Sequence, residues 1–231
     1  SFGVWTAADL HSLVPLPYIA SGTSPIVYQD AGSGERFVVF TSDSGRIQLI
    51  TIAPNEGTEK RPVSMLTSYA SGQVTSLDLS SQAAVGWADT ASEPVGCVNP
   101  LNGDHWVVFT GNDARLYAFR KKSGNTVWES VDVSAMAPQP FVQLGTHPTC
   151  VVSEINSDVR ILFTGNDQHL WQVFYDGVAW TATHVSGQAP VALASGGTSP
   201  AVTINTLSGE YFLSFIGVDA RVHSLQYLLR P

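Results

Sequence analysis

Four prolines each precede a phenylalanine by fifteen residues without a gap: Pro25 and Phe40, Pro94 and Phe109, Pro148 and Phe163, Pro200 and Phe215. Five residues before each Phe stands a carboxylate (Glu35, Asp104, Asp158, Glu210), and seven after it an aliphatic residue (Ile47, Leu116, Leu170, Val222). A pattern in this phase is a repeat architecture, which restricts the fold to units that stack on one another. A tryptophan twenty residues before the proline extends it in three copies, Trp5, Trp128 and Trp180, with Val74 in the fourth place. These side chains read as packing between neighbouring units.

Each copy holds a short run rich in aromatic and β-branched residues (FVVFT, WVVFT, RILFT, YFLSFI), then a turn (SDSG, GNDA, GNDQ, GVDA) and a second run. That is a β-hairpin. The runs are apolar without strict alternation, as in strands buried on both faces. A period of roughly 50 residues with four strands per copy is the β-propeller pattern. Phe215 to the C-terminus, continued from Ser1 to Phe40, spans about one more period. GVWTAADL near the start also matches GVAWTATH before the fourth copy. The expected fold is therefore all-β: a four-bladed β-propeller, one domain over residues 1–231, with the N- and C-terminal strands sharing the last blade. About fifteen inserted residues, near 54–73, set one copy apart.

Composition narrows the function. Eleven basic residues and a net charge of −8 leave no basic stripe for nucleic acid or anionic lipid. No apolar run reaches membrane-spanning length. The chain starts at Ser1, which suggests removal of a leader or of the initiator Met, and low Lys with abundant Ser, Thr and Gly leans towards an extracellular protein. No Cys/His spacing suggests a metal, and no cofactor fingerprint is present. Cys97 and Cys150 lie three and two residues after their prolines, so alternation points them to opposite faces of their strands and favours free buried thiols over a disulfide.

In a propeller, the connections between blades share a face with the central hairpin turns. Two recurring sets fall there. One is the turn acid with a cation close behind it: Asp43 with Arg46, Asp113 with Arg115, Asp167 with His169, Asp219 with Arg221. The acids can simply cap their own turns, or the polar groups can line clefts that hydrogen-bond ligand hydroxyls. The other set is Tyr18, Trp87, Phe141 and Leu193, thirteen residues after each Trp position. Such residues either pin a connection to the blade beneath or present a ring on which the C–H face of a sugar stacks. Trp87 is the foremost candidate.

The third copy, FTGNDQHLWQVFYDGVAWT, resembles the repeat of fucose-binding propeller lectins of the Photorhabdus lectin type. The resemblance implies non-catalytic binding of glycans or glycoproteins, with no cofactor. It adds Trp171 and its counterpart Tyr117 to the ligand-binding candidates. Four blades are also similar to hemopexin-like interaction scaffolds. An enzyme reading rests on the residue before each proline, which is Ser24 and Ser199 in two copies but Glu93 and His147 in the others. These positions start the innermost strands, so Glu93 and His147 would meet near the axis as a general acid and base. The sequence leaves homo-oligomerisation open.

Overall fold

In a computed structural model, residues 9–54, 74–82, 86–188, 191–205, 208 and 210–227 are described. They form four antiparallel sheets in chain order. The first holds β1 (Ile26–Gln29), β2 (Arg36–Thr41), β3 (Ile47–Ile52) and β4 (Val74–Asp78). The second holds β5 (Val95–Val98), β6 (His105–Thr110), β7 (Leu116–Lys121) and β8 (Glu129–Asp132). The third holds β9 (Thr149–Val152), β10 (Val159–Thr164), β11 (Leu170–Tyr175) and β12 (Trp180–His184). The fourth has three described strands, β13 (Ala201–Ile204), β14 (Tyr211–Ile216) and β15 (Val222–Tyr227).

The repeated residues have repeated jobs. The recurring carboxylate position closes the first hairpin of every sheet through its backbone carbonyl, which accepts from Asp30, Asn99, Ser153 or Asn205. In the second sheet the Asp104 side chain also holds the Arg120 guanidinium, which lies over the Trp106 and Tyr175 rings. The hairpin between the second and third strands turns through a residue with positive φ, namely Gly45, Ala114, Gln168 and Ala220.

Strand alternation gives each sheet a front face, towards the next sheet in the chain, and a rear face. Phe37, Val39, Ile47 and Leu49 on the front of the first sheet pack on Val107, Phe109, Phe119 and Trp128 from the rear of the second. The same interleaving joins the second sheet to the third, and the third to the fourth. Trp128 and Trp180 lie in these seams as packing residues. Trp5 and the inserted residues 55–73 lie outside the described residues. On the rear of the first sheet, Phe40, Ile50 and Val74 are covered by the leading segment through Leu10, Leu13, Val14, Leu16 and Ile19.

The described residues do not form the closed four-bladed ring that the repeat spacing predicts. At the aliphatic position after the turn, Ile47, Leu116 and Leu170 are 0, 0 and 1 % exposed, because a following sheet covers each of them. Val222, the fourth member, is 77 % exposed, and Phe212 and Ile216 beside it are open as well. The sheets therefore stand as a row with an uncovered front at its end. The shared last blade would need Ser1–Ala8, which are outside the described residues.

The cysteines also depart from expectation. Cys97 on β5 and Cys150 on β9 form a disulfide, with Cα atoms 6.1 Å apart. They do point to opposite sides of their own sheets. One side is the front of the second sheet and the other the rear of the third, however, and those two faces meet.

Candidate functional site

On the face that carries the connections, each turn is locked to the connection that follows its sheet. The N–H groups of Ala88, Val142 and Ala194 donate to the carbonyls of Gly45, Ala114 and Gln168 at 2.9, 2.8 and 2.8 Å. Each connection then bonds the next turn, since Asn112, Asn166 and Val218 donate to the carbonyls of Trp87, Phe141 and Leu193. With both sides of the connection held through its backbone, the side chain at the aromatic position projects outward. Tyr18, Trp87 and Phe141 are 78, 53 and 57 % exposed, and Leu193 is 37 % exposed. They are exposed side chains and not buried pins.

The turn acids and the turn cations part company. Asp113 accepts from the Arg115 N–H and from the Tyr117 hydroxyl, and Asp167 from the His169 N–H and Trp171 Nε1. Asp219 accepts from the Arg221 N–H and meets His223 Nε2 at 3.0 Å. Asp113, Asp167 and Asp219 thus cap their own turns, as the simpler sequence reading holds; in the first copy it is Ser42, not Asp43, whose side chain accepts from the Arg46 N–H. Tyr117 is buried against Phe109, and burial together with the bond to Asp113 pushes its phenol up to about 12. It therefore stays a proton donor beneath the site.

The cations instead pair with an acid at the end of the outermost strand. Arg46 Nε lies 2.6 Å from Asp78 Oδ2, and Arg115 Nη2 lies 2.7 Å from Asp132 Oδ2. The Arg46 guanidinium also sits 5.8 Å from the centre of the Trp87 ring. Asp78 and Asp132 are held rigidly, because each caps a helical turn by accepting from a backbone N–H three residues on, at Ser81 and Ala135. Sequence reasoning passed over both acids. Their signal was an Asp, aliphatic, Ser triplet: Asp78-Leu79-Ser80 and Asp132-Val133-Ser134, matched by His184-Val185-Ser186. The Ser in each triplet accepts from the first N–H of the third strand, at Ile47, Leu116 and Leu170.

Three junctions follow from this arrangement. Arg46, Asp78 and Trp87 come together at the first, and Arg115 and Asp132 at the second, where Phe141 is exposed on the connection. In the third, His169 takes the cation's place and His184 the acid's. Both rings contact the Ser186 hydroxyl at 3.2 Å, and Trp171 stacks on His184 at 4.9 Å. Arg221 is exposed on the open end of the row.

Glu93 and His147 do meet at the axis, with Glu93 Oε2 3.9 Å from His147 Nε2. Each is already occupied with the backbone. Ser24 N–H donates to Glu93 Oε1 at 2.8 Å, Glu93 N–H to His147 Nδ1 at 2.6 Å, and His147 N–H to Ser199 Oγ at 2.7 Å. Two concavities lie away from these clefts. One of about 450 Å³ between the third and fourth sheets is lined by Arg160, Gln172 and Tyr211, which are bonded to one another. The other, of about 480 Å³, includes Asp30, Asn99 and Glu154. Among the described residues no group of three or more His, Cys, Asp or Glu side chains could hold a metal ion.

No family model and no curated protein matches the chain in sequence. In structure it is similar to AofleA from Arthrobotrys oligospora, with a TM-score of 0.65 and 13 % identity, covering 93 % of this chain and 56 % of that one. It is similar also to the lectin of Aleuria aurantia, a six-bladed β-propeller with a fucose recognition mode of its own (TM-score 0.53, 13 % identity, 90 % and 60 % covered). A lectin from Burkholderia pseudomallei matches with a TM-score of 0.53 and 14 % identity, over 93 % and 71 % of the two chains. None of these three is a Photorhabdus lectin. The chain spans just over half the length of the Arthrobotrys protein. The likeness establishes a β-propeller arrangement of sheets. It corrects the four-bladed expectation in the same sense as the exposed front of the fourth sheet, since four sheets here superpose on part of a propeller with six blades.

Proposed function

We propose that this protein binds carbohydrate without turning it over, in the clefts between adjacent sheets on the connection face. The observation that carries the reading is the Arg46–Asp78 pair beside the exposed Trp87, repeated as Arg115–Asp132 beside Phe141. An aromatic face packs against the apolar C–H face of a pyranose. A guanidinium held by a carboxylate offers fixed donors next to fixed acceptors, which is what a pair of neighbouring hydroxyls requires. Fucose is the first sugar to test, because the structurally similar propellers include lectins that recognise it. The disulfide between Cys97 and Cys150 supports an extracellular setting, where such bonds persist. Repetition of weak clefts on one rigid body raises avidity for a glycan-covered surface.

The test is a glycan array followed by titration of its hits with the wild type, Trp87→Ala and Arg115→Ala. Each variant should bind about tenfold or more weakly, a loss of about 1.4 kcal/mol or more. Melting should shift by only a few degrees, because exposed rings and half-exposed ion pairs contribute little to folding. A variant that melts early yet binds as well as the wild type would refute the assignment, as would silence on every glycan.

A further inference from the structure

The chain has six histidines, and all of them lie among the described residues. His11, His105, His147 and His223 each face a carboxylate, from Asp9, Asp30, Glu93 and Asp219 in turn. His169 and His184 face one another instead, edge to face with ring centres 4.4 Å apart. They stand where the first two junctions hold an arginine and its aspartate, and Leu193 stands where those junctions show a ring. The third junction therefore has neither the fixed ion pair nor the aromatic surface.

What it offers follows from counting hydrogens at Ser186. A serine hydroxyl carries one proton and can accept twice. One acceptance is taken by the Leu170 N–H at 3.1 Å. His169 Nδ1 and His184 Nε2 both lie 3.2 Å from the same oxygen, so one ring donates to it and the other accepts from it. In either arrangement the far nitrogens, His169 Nε2 and His184 Nδ1, carry one hydrogen between them. Among the described residues neither far nitrogen has a partner, and neither is buried. One further proton fits on the bare far nitrogen without disturbing Ser186, and it leaves two outward N–H donors with one positive charge. A second would displace the hydrogen bond that the serine donates and set three donors against one oxygen. The relay accordingly takes one proton and not two. Trp171 stacks on His184, and a Cβ at Gly187 would lie 2.5 Å from His184 Nδ1, so the glycine keeps that nitrogen approachable.

We infer that the third junction binds saccharides that carry an acidic group, a carboxylate or a sulfate, and takes up one proton from solvent as it does so. Two N–H donors on a charged relay match two oxygens of such a group, and hydrogen bonds between ionised partners are the stronger kind. At the first two junctions Asp78 and Asp132 would repel the same group. The charged groups on the elements around the relay have partners of their own. Asp167 in the turn accepts from the His169 N–H and Trp171 Nε1. Arg115 pairs with Asp132, which caps the helical turn that packs on β12, and Asp219 on the fourth sheet meets His223. That the ligand is a saccharide rests on the carbohydrate reading; the one-proton relay does not.

The experiment presents the full chain with a panel of uronic-acid and sulfated saccharides beside their neutral parents, at about pH 5.5 and 7.5, either side of the range in which imidazole changes charge. Hits are then titrated by calorimetry at the higher pH in two buffers of different ionisation heat, which reads proton uptake. The wild type should bind the acidic member of a pair about tenfold or more tightly than its neutral parent. Binding should tighten as pH falls, with uptake that never exceeds one proton per site. His169→Arg together with His184→Asp installs the ion pair of the first two junctions and should reverse the preference. Gly187→Ala leaves both rings in place and covers His184 Nδ1, so it should weaken acidic binding even if the double variant fails to fold. The inference is overturned by the absence of any acidic preference, by a preference that survives Gly187→Ala, or by uptake of no proton or of more than one. A preference confined to uronates or to sulfates upholds it and identifies the acidic group. If neutral saccharides bind through Trp87 and Arg115 while acidic ones gain nothing, the relay assignment falls and the carbohydrate reading stands. If nothing on the panel binds, the carbohydrate reading falls and takes this assignment with it.

Discussion

Glu93, His147 and Ser199 accept the same hydrogen bond, a backbone N–H from the preceding copy, although one is an acid, one a base and one neutral. Replacing His147 by Ser should therefore leave the fold in place, because the Ser199 hydroxyl already does this work. His147→Ala strands the Glu93 N–H and should cost about 1 to 3 kcal/mol, a difference that urea denaturation of the two variants would resolve. His105 illustrates a different constraint. Burial, assisted by Lys121, holds its imidazole down to about 4, while Asp30 pulls weakly the other way. Below the usual imidazole pKa of about 6.5 the unfolded chain takes up a proton that the folded chain refuses. Stability should fall between about pH 6.5 and 4 as a result. His105→Gln should flatten that slope by up to about 1.4 kcal/mol per pH unit, read as unfolding free energy against pH. An unchanged slope would mean the ring is protonated in the native state. At this scale the sequence displayed the exposed connection side chains and the turn cations, because they recur at constant offsets. It concealed Asp78 and Asp132, because the insertion lengthens the interval between Arg46 and Asp78 relative to that between Arg115 and Asp132 and breaks their register.

Among the elements, the hairpins were legible because aromatic and β-branched runs flank short polar turns, and the phase was legible because Pro and Phe mark it. Sidedness was harder. Alternation assigns Cys97 and Cys150 to opposite faces of their own sheets, but which faces confront each other depends on the order in which sheets stack. The disulfide ties β5 to β9 across 53 residues of chain. It constrains the unfolded ensemble and should contribute about 2 to 4 kcal/mol. Denaturant curves with and without reductant, or with Cys97→Ala and Cys150→Ala together, should differ by that amount. A smaller gap would assign the seam's strength to its packing around Trp106, Tyr175 and Trp180.

Across the whole molecule, stability should be graded along the row, since each sheet contacts only its neighbours. The second and third sheets are covered on both faces, whereas the fourth is open in front. Amide hydrogen exchange should accordingly be slowest on β6 and β10 and fastest on β14 and β15. Uniform protection would contradict an open end. Ring closure was not legible because repeat spacing fixes the order of units but not the angle between them. That angle depends on the bulk between faces, and bulk varies from the Trp106, Tyr175 and Trp180 cluster of one seam to the smaller Leu162, Leu170 and Leu213 of another. The axial hydrogen bonds bear on how such a row could change in length. Each copy holds the next by an acceptor that Glu, His and Ser supply equally well, and the outer contacts use a triplet tolerant of Asp or His. Apart from the Cys97–Cys150 disulfide, these junction contacts do not identify which repeat is which. A unit duplicated or lost by recombination would find a compatible neighbour at once, so blade number in such proteins can drift while the grammar of the junction stays the same.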